Sequence, residues 1–443
     1  MNEKLNDAMN EIRDEYIVDA AKPRRRLPKW FGAVAALLAA VLLLSSLVPS
    51  MSLQAAAIAQ AEYPEYQYLG IDRNISLRMR DFYKTSMATT LSDLDGQNGA
   101  YSPLNLAIAL SVLAELTTGE ARQQILTALN APDMATLRVR ANTLWRASYY
   151  DNHNQTLLAN SLWLDNSLEY DQAVMDTLAS NYYTSVYHGN FGSSKVNRLI
   201  TQWLDGQTGN MLKQDTSGIR LPEEAVLALY STIYYQAKWQ NDFSAANNKR
   251  GIFHSPDGDV TVTYMNKTRT TGTYYWADDF GAISLHLKDG SQMWLFLPDE
   301  GKTVEDILAS GAYLDMLNHE TENKKEVFIN LSLPKFDIRQ NCDLRADLEK
   351  IGITDIFDPS ANAFADSVYS HKYGSGVWLT SANQATRVAI DEKGITAASY
   401  IEVPGAGAAA PPDDEIDFIL DRPFFFIVAK GSLPLFAGVV NQP

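Results

Sequence analysis

The run from residue 226 to residue 239, VLALYSTIYYQAKW, constrains the fold of this chain more than any other stretch. It is rich in β-branched and aromatic residues, which favour extended backbone, so it predicts a long central strand. Helical patterns come before it, including a helix that begins where Ser102 can cap and Pro103 suits the first turn. Mostly antiparallel strands with interspersed helices come after it. This order predicts an α+β domain over residues 72–443 with no internal linker.

Composition narrows the classes of function. The chain has 443 residues, of which 46% are hydrophobic and 20% charged, enough for one large domain or two smaller ones. Its 37 Lys and Arg against 53 Asp and Glu give a formal net charge of -16, which argues against a nucleic-acid partner. Cys342 is the single cysteine, so no internal disulfide can form. We expect it to be a small buried apolar residue rather than a reactive thiol.

The N-terminal region predicts a membrane anchor. Residues 1–29 are polar and end in a basic cluster, and residues 30–48 then carry no charge over 19 positions. A helix needs about 20 such residues to cross a bilayer. The basic flank places residues 1–29 in the cytoplasm and the chain after residue 50 outside, with residues 49–71 as a tether. The alternative is a secreted protein whose signal peptide is cleaved near residues 54–59.

The usual catalytic motifs are absent from the sequence. No two of the six histidines have the helical spacing of metal ligands, and there is no HExxH motif. There is no GxSxG elbow, no GxxxxGK[ST] loop and no GxGxxG after a strand. We therefore expect no metal, no cofactor and no enzymatic activity. A Ser-His-Asp site assembled from distant positions stays open, with a surface hydrolase as the corresponding function.

Residues 391–423, DEKGITAASYIEVPGAGAAAPPDDEIDFILDRP, allow two interpretations. The stretch is too poor in large side chains to hold itself in a core, which is typical of a linker. It lies, however, near the C-terminus of a chain that is otherwise well patterned. The function depends on whether this stretch is a linker or a working part.

Six segments in order resemble the serpin family across residues 72–443. They are NGAYSPLNLAIALSVLAELTTGEARQQI, NSLWLD, LYSTIYYQAKWQNDF, LPKFDIRQNCDLRADLEKIGITDIF, DRPFFFIVAK and LPLFAGVVNQP. The resemblance, to a prokaryotic membrane-anchored or exported member, implies helices plus three β-sheets and an exposed reactive-centre loop at about 394–412. It implies a monomeric protease inhibitor whose cleaved loop traps the acyl-enzyme and inserts as a new middle strand. The runner-up is a non-inhibitory serpin, a binding or structural module whose loop is cleaved without trapping.

Loop insertion requires alternate residues to be apolar or small, because one face of the new strand is buried. With Gly394 as the hinge glycine, the set Ile395, Ala397, Ser399, Ile401 and Val403 meets this requirement, and a linker has no reason for such a period. Four residues depart from the family pattern: Ile395 replaces the commoner Thr or Ser, Tyr400 and Glu402 replace smaller residues on the outer face, and Pro404 cannot donate to a strand ladder. The resemblance places the hinge at Glu392, Gly394, Ile395, Thr396, Ala397, Ala398 and Ser399.

Family spacing places the scissile bond about fourteen residues after Gly394, at Ala408-Ala409, with Ala409-Ala410 as the alternative. Small residues on both sides suit a shallow specificity pocket, so we expect an elastase-like serine protease as the partner. Trypsin-like enzymes need Lys or Arg, and Lys393 and Arg422 lie too far from these bonds.

The resemblance also implies two positions that control the opening of the main sheet. Trp239 is implied at the top of the sheet, the breach. The polar cluster at its middle, the shutter, is implied to be Ser102, Asn105, Ser231 and Gln384. Three of these four depart from the commoner family residues, but all can donate and accept hydrogen bonds, so a network is expected. The alternative is that they are ordinary caps and strand polars.

Overall fold

The computed structural model describes residues 52–65, 73–151, 155–207, 220–221, 225–370, 376–395 and 412–443. The chain divides into two compact units, Met1–Ser52 and Leu53–Pro443, and the elements below belong to the second. Within the described residues, no helix is both long enough and apolar enough to cross a membrane. The predicted anchor at residues 30–48 lies outside those residues and stays a prediction.

Most helices precede the central strand, as the sequence pattern predicts. The helix α4 (Pro103–Leu116) begins after Ser102, whose hydroxyl oxygen accepts a hydrogen bond from the backbone N–H of Asn105, and Pro103 occupies its first turn. Every residue of α4 is buried, which is typical of a helix inside a large core. The described helices are α1 (Leu53–Ala56), α2 (Arg73–Arg78), α3 (Arg80–Leu91), α4 (Pro103–Leu116), α5 (Gly119–Ala128), α6 (Met134–Ser148), α7 (Gln172–Asn181), α8 (Ser194–Gln207), α9 (Val304–Ser310), α10 (Ala312–Leu317) and α11 (Arg345–Lys350).

The main sheet, sheet A, contains the predicted central strand. Its strands are β1 (Ala57–Ala59), β3 (Tyr150–Asp151), β4 (Gln155–Asp165), β6 (Thr184–Gly189), β7 (Leu227–Lys238), β13 (Phe336–Asp343), β15 (Ser381–Asp391) and β16 (Gly394–Ile395). Their order is β1-β6-β4-β7-β16-β15-β13, with β3 paired to β4. β7 is antiparallel to β4 and parallel to β15, so it lies in the middle of the sheet as predicted.

The second sheet, sheet B, packs the C-terminal strands into the core. Its strands are β2 (Gly99–Tyr101), β8 (Lys249–Ser255), β9 (Gly258–Trp276), β10 (Phe280–His286), β11 (Gln292–Pro298), β12 (Lys324–Pro334), β17 (Glu415–Ile419), β18 (Phe424–Lys430) and β19 (Leu433–Val440). Their order is β17-β12-β9-β10-β11-β18-β19-β2, with β8 on β9. A third, two-stranded sheet joins β5 (Glu169–Tyr170) to β14 (Val368–Tyr369). The α+β prediction with three sheets is confirmed.

Strand β9 is longer than the sequence pattern predicts. That pattern indicates two strands, at residues 260–265 and 271–276, whereas β9 is continuous over 19 residues. Its pairing with β12 continues across a register shift between Ile329 and Leu331. The polar residues between the predicted strands therefore bend the strand without ending it.

The compact unit begins at Leu53, before the predicted boundary at residue 72. The short strand β1 pairs antiparallel with β6, at one side of sheet A. The ring of Tyr63 then stacks on Trp145, with ring centroids 5.4 Å apart. Part of the predicted tether therefore packs against the domain.

Candidate functional site

A tight turn, Asp391–Gly394, follows β15 and precedes the predicted reactive-centre loop; we call it the hinge turn. The carboxylate of Asp391 accepts hydrogen bonds from the backbone N–H groups of Lys393, at 2.7 Å, and Gly394, at 3.2 Å. A Cβ atom on Gly394 would lie 2.2 Å from the carbonyl oxygen of Ala237. Only glycine therefore allows the turn to approach β7 this closely.

The chain after the hinge turn has already entered sheet A. Strand β16 lies between β7 and β15, and Ile395 pairs antiparallel with both Ala237 and Ile390. The side chain of Ile395 is 1% exposed. Farther along the sheet, residues 228–232 of β7 pair directly with residues 381–385 of β15. β7 and β15 are therefore direct neighbours at that level.

The segment after β7, residues 239–243, holds the hinge turn in place. The backbone N–H of Trp239 donates to the carbonyl of Lys393 at 3.0 Å, and its indole N–H donates to the carbonyl of Asp391 at 2.7 Å. The backbone N–H of Phe243 donates to the carbonyl of Glu392 at 2.9 Å. Trp239 is itself buried and meets the ring of Phe243 edge-on. The residue predicted at the breach therefore binds the hinge turn through both its backbone and its side chain.

Glu392 joins the hinge turn to two other parts of the domain. Its carboxylate lies 2.5 Å from the ammonium of Lys335, between β12 and β13. It also accepts a hydrogen bond from the amide of Asn248, just before β8, at 2.5 Å. Burial alone raises the pKa of Glu392, but the hydrogen bonds from Lys335 and Asn248 outweigh it and lower that pKa to about 2. The carboxylate is therefore ionised at neutral pH.

Sequence reasoning did not find the two partners of Glu392. Lys335 lies inside a segment that carries the family resemblance. Its position between a proline and a phenylalanine in that segment could have indicated a role at the site. Asn248 gives no such signal, because it follows a polar stretch and is 144 residues from Glu392 in sequence. These two side chains belong to the site even though the sequence analysis assigned them no role.

At the middle of sheet A, Ser102 and Gln384 form a connected pair, as predicted. The side-chain oxygen of Gln384 accepts from the backbone N–H of Ser102 at 2.6 Å, and its amide nitrogen donates to the carbonyl of Ser102 at 3.2 Å. The hydroxyl of Ser102 donates to the carbonyl of Leu435 at 2.6 Å. These contacts connect β15, the start of α4 and β19.

The other two predicted shutter side chains do not join this network. The side-chain polar atoms of Asn105 and Ser231 are buried and have no hydrogen-bond partner among the described residues. The side-chain polar atoms of Asn160 on β4, a residue that the sequence does not single out, are also buried without a hydrogen-bond partner among the described residues. Asn160, Ser231 and Gln384 are direct neighbours across β4, β7 and β15, and we call them the polar row. The predicted network is therefore formed only in part.

Comparison with known proteins identifies the family. The model of the family described as serpin (serine protease inhibitor) matches residues 80–443, well over half of the chain. The chain belongs to the serpin family. Plasminogen activator inhibitor 1 of Bos taurus is 26% identical over 371 residues, covering 78% of this chain and 87% of that protein. Alpha-1-antiproteinase of Rattus norvegicus is 24% identical over 387 residues, covering 84% of this serpin and 90% of that protein.

A solved serpin shares the fold. The thermophilic serpin tengpin in its native state superposes with a TM-score of 0.75 at 23% identity, covering 87% of this chain and 97% of that one. The family and the inhibitor names of the two sequence relatives support serine protease inhibition as the class of activity of this serpin. They fit a protein that is not an enzyme.

Part of the predicted site lies outside the described residues of this serpin. This holds for the rest of the predicted hinge, Thr396 to Ser399, and for both candidate reactive bonds, Ala408-Ala409 and Ala409-Ala410. The side chain of Cys342 is also outside the described part. These assignments stay predictions. The described part of the site is the hinge turn, its partners, Ile395 and the middle of sheet A.

Proposed function

We propose that this serpin inhibits a serine protease as a single-use suicide substrate. The protease attacks the loop, forms an acyl-enzyme, and the cleaved loop inserts between β7 and β15. The observation that supports this proposal is β16. Its pairing with both β7 and β15 means that the first rung of the inserted strand is present before any cleavage.

The pairing of β16 sets the register that a longer inserted strand would take. Gly394 faces Lys238 on β7 and Asp391 on β15, and each later loop residue would face the preceding residue of each strand. Ile401 would then lie level with the direct Ser231–Gln384 pair and separate it. Residue 405 would face the first residue of β7, and residue 404 would face the first residue of β15. The inserted strand would therefore end at these residues.

The same register matches the faces of the loop to the faces of the sheet. In the upper half of β7, Tyr235 and Ala237 are buried, whereas Tyr234, Gln236 and Lys238 are only partly buried. The apolar and small set that starts at Ile395 would fall on the buried face. About ten added backbone hydrogen bonds, each worth roughly 0.5–1.5 kcal/mol net, would stabilise the inserted state by on the order of 10 kcal/mol. This supplies a driving force for trapping.

We also propose an elastase-like target and an outward-facing location. The loop residues Ala408, Ala409 and Ala410 suit a protease with a small specificity pocket. The charge-free run at 30–48 suits a single-pass anchor with the serpin domain outside the cell, or a signal peptide whose cleavage releases it.

The deciding experiment incubates the protein with pancreatic elastase and analyses the products on a denaturing gel and by intact mass. We expect an SDS-stable complex and a released C-terminal peptide whose mass places the cut at Ala408-Ala409 or Ala409-Ala410. Cleaved serpin together with fully active protease and no complex would contradict inhibition. Trypsin, which needs Lys or Arg, is the control and should form no complex through these bonds.

That contradicting outcome would favour the non-inhibitory alternative, a binding or structural module. One residue favours it specifically: Pro404 has no N–H to donate near the end of the would-be strand. Replacing Pro404 by alanine should then raise the ratio of complex to cleaved product, because insertion would lose this obstacle.

A further inference from the structure

A cavity of about 90 Å³ lies beside the hinge turn, between the segment after β7 and strands β9, β10 and β12. A water molecule occupies about 30 Å³ in the liquid, so the cavity suits a small organic molecule better than a single water. Polar groups, among them Thr270 and Ser284, line part of it. The apolar part of its lining comes from Trp239 and from four aliphatic side chains: Ile283, Leu285, Ile329 and Leu331.

A cation without a carboxylate partner borders this cavity. The ammonium of Lys267 donates to the carbonyl of Asn241 at 2.5 Å and stands 4.3 Å from the centre of the Phe243 ring. Among the described residues, no carboxylate oxygen lies within 4.0 Å of it. The nearby carboxylate of Asp242 is bound by Lys393 at 3.1 Å. Burial lowers the pKa of Lys267 to about 8, although Asp242 opposes this shift.

We propose that the cavity binds a small monocarboxylate with an apolar body, such as a short-chain aliphatic or an aromatic acid. The carboxylate would supply the counter-ion that Lys267 lacks, through a charge-assisted hydrogen bond. The body would cover the aliphatic side chains of the lining, which is the usual division of a small-molecule site. A dicarboxylate or a phosphate would place a further charge against apolar side chains, which is unfavourable.

The ligand would also contact the residues that hold the hinge turn. Trp239 and Asn241 line the cavity, and Trp239 donates both its hydrogen bonds to the hinge turn. A ligand that binds more tightly while Trp239 holds the hinge turn than after sheet A has opened stabilises the unopened sheet by linkage. We therefore expect the ligand to slow insertion of the loop. The binding itself is independent of the proposed inhibition, and only this coupling rests on it.

Calorimetric titration of the full-length protein tests the binding. Sodium butyrate, hexanoate and benzoate are the probes, and butanamide, hexanamide and benzamide are their uncharged counterparts. We expect saturable binding of at least one acid, with its amide at least tenfold weaker. Lys267→Met should remove the difference between acid and amide. Lys249→Met, at an exposed lysine of β8 outside the cavity, should bind as the unmodified protein does.

A second variant tests the cavity without touching the charge. A Cβ at Gly272 would lie 2.8 Å from Cδ1 of Ile329, so Gly272→Ala should displace that side chain and change the cavity. This substitution should weaken the binding of acids and amides alike. Equal binding of acid and amide by the unmodified protein, unchanged acid binding in Lys267→Met, or no saturable binding of any acid would each overturn the proposal.

The coupling is measured separately with elastase. Saturating acid should lower the ratio of SDS-stable complex to cleaved serpin in the unmodified protein and leave it unchanged in Lys267→Met. Binding with an unchanged ratio would overturn the coupling but not the site. Binding in a protein that forms no complex at all would contradict the proposed inhibition and leave the binding site supported.

Discussion

The top and the middle of sheet A are held in different ways. At the top, hydrogen bonds from Trp239, Phe243, Lys335 and Asn248 hold the hinge turn. At the middle, β7 and β15 pair directly, but the polar row contains buried side chains without partners. An unpaired buried polar group costs about 1–3 kcal/mol, so the side chains of Asn160 and Ser231 weaken the middle of the sheet. The top is therefore held by a set of satisfied hydrogen bonds, whereas the middle combines strand pairing and the Ser102–Gln384 bonds with unpaired side chains.

Reversing the charge of Glu392 should have the largest effect on this difference. Glu392→Lys would replace an ion pair at 2.5 Å from Lys335 by two like charges and would also lose the bond from Asn248. Hydrogen bonds to charged groups contribute about 1.5–3 kcal/mol, so we expect the free energy of unfolding to fall by at least about 2 kcal/mol. Denaturant unfolding measures it.

The control for this change is the double variant Glu392→Lys with Lys335→Glu. It restores opposite charges in exchanged positions, so it should recover part of the loss. If the double variant is no more stable than Glu392→Lys alone, the ion pair with Lys335 does not hold the hinge turn.

The pH dependence isolates the same carboxylate with a smaller change. The pKa of Glu392 is about 2 in the folded protein, below its ordinary 4.5, so the unfolded chain binds more protons between these values. The contribution of the carboxylate is therefore complete above about pH 4.5 and is lost as the pH falls toward 2. The stability difference between the unmodified protein and Glu392→Gln should be constant from pH 5 to 7 and shrink below pH 4.5. A difference that grows on acidification would contradict this assignment.

At the middle of the sheet, Gln384→Ala should have an intermediate effect. The change removes both hydrogen bonds between the side chain and the backbone of Ser102. It leaves the buried N–H of Ser102 unpaired, which costs about 1–3 kcal/mol, whereas the carbonyl of Ser102 keeps the bond from the backbone N–H of Leu106. The free energy of unfolding should fall by that amount, as measured by denaturant. An unchanged value would show that Ser102 finds other partners without Gln384.

Ser231→Ala should have the smallest effect, although its site is the nearest neighbour of Gln384 on β7. The hydroxyl of Ser231 is buried without a hydrogen-bond partner among the described residues, so the substitution breaks no hydrogen bond. We expect the free energy of unfolding to stay within about 1 kcal/mol of the original or to rise. A loss as large as that of Gln384→Ala would remove the contrast between the top and the middle.

The fold and the start of the hinge, at Gly394 and Ile395, could be predicted because their signals are local. The β-branched and aromatic run of β7 and the Ser102-Pro103 helix start both carry their structural preference in adjacent residues. At the hinge, Ile395 lies opposite the buried Ala237 of β7, and side chains alternate along any strand, so the buried position of Ile395 agrees with the alternation that the sequence shows from this residue on.

The partners at the site could not be predicted in the same way. Lys335 and Asn248 reach Glu392 from elements far away in sequence, and Asn160 joins the polar row only through strand pairing. The sequence shows which residues can form hydrogen bonds but not which of them remain without a partner. The expected hydrogen-bond network therefore includes Ser102 and Gln384 but not Asn105 and Ser231, and the shutter role of these four residues stays a prediction.

The packing of β1 on β6 has a consequence for self-association. A strand at the side of a sheet carries free backbone donors and acceptors that can pair with a strand of another molecule. β1 uses such groups of Val186 and Tyr187, and Tyr63 anchors the following chain on Trp145. A protein shortened to begin after residue 65 would expose that part of β6. We therefore expect such a shortened protein to self-associate more readily than one that keeps β1.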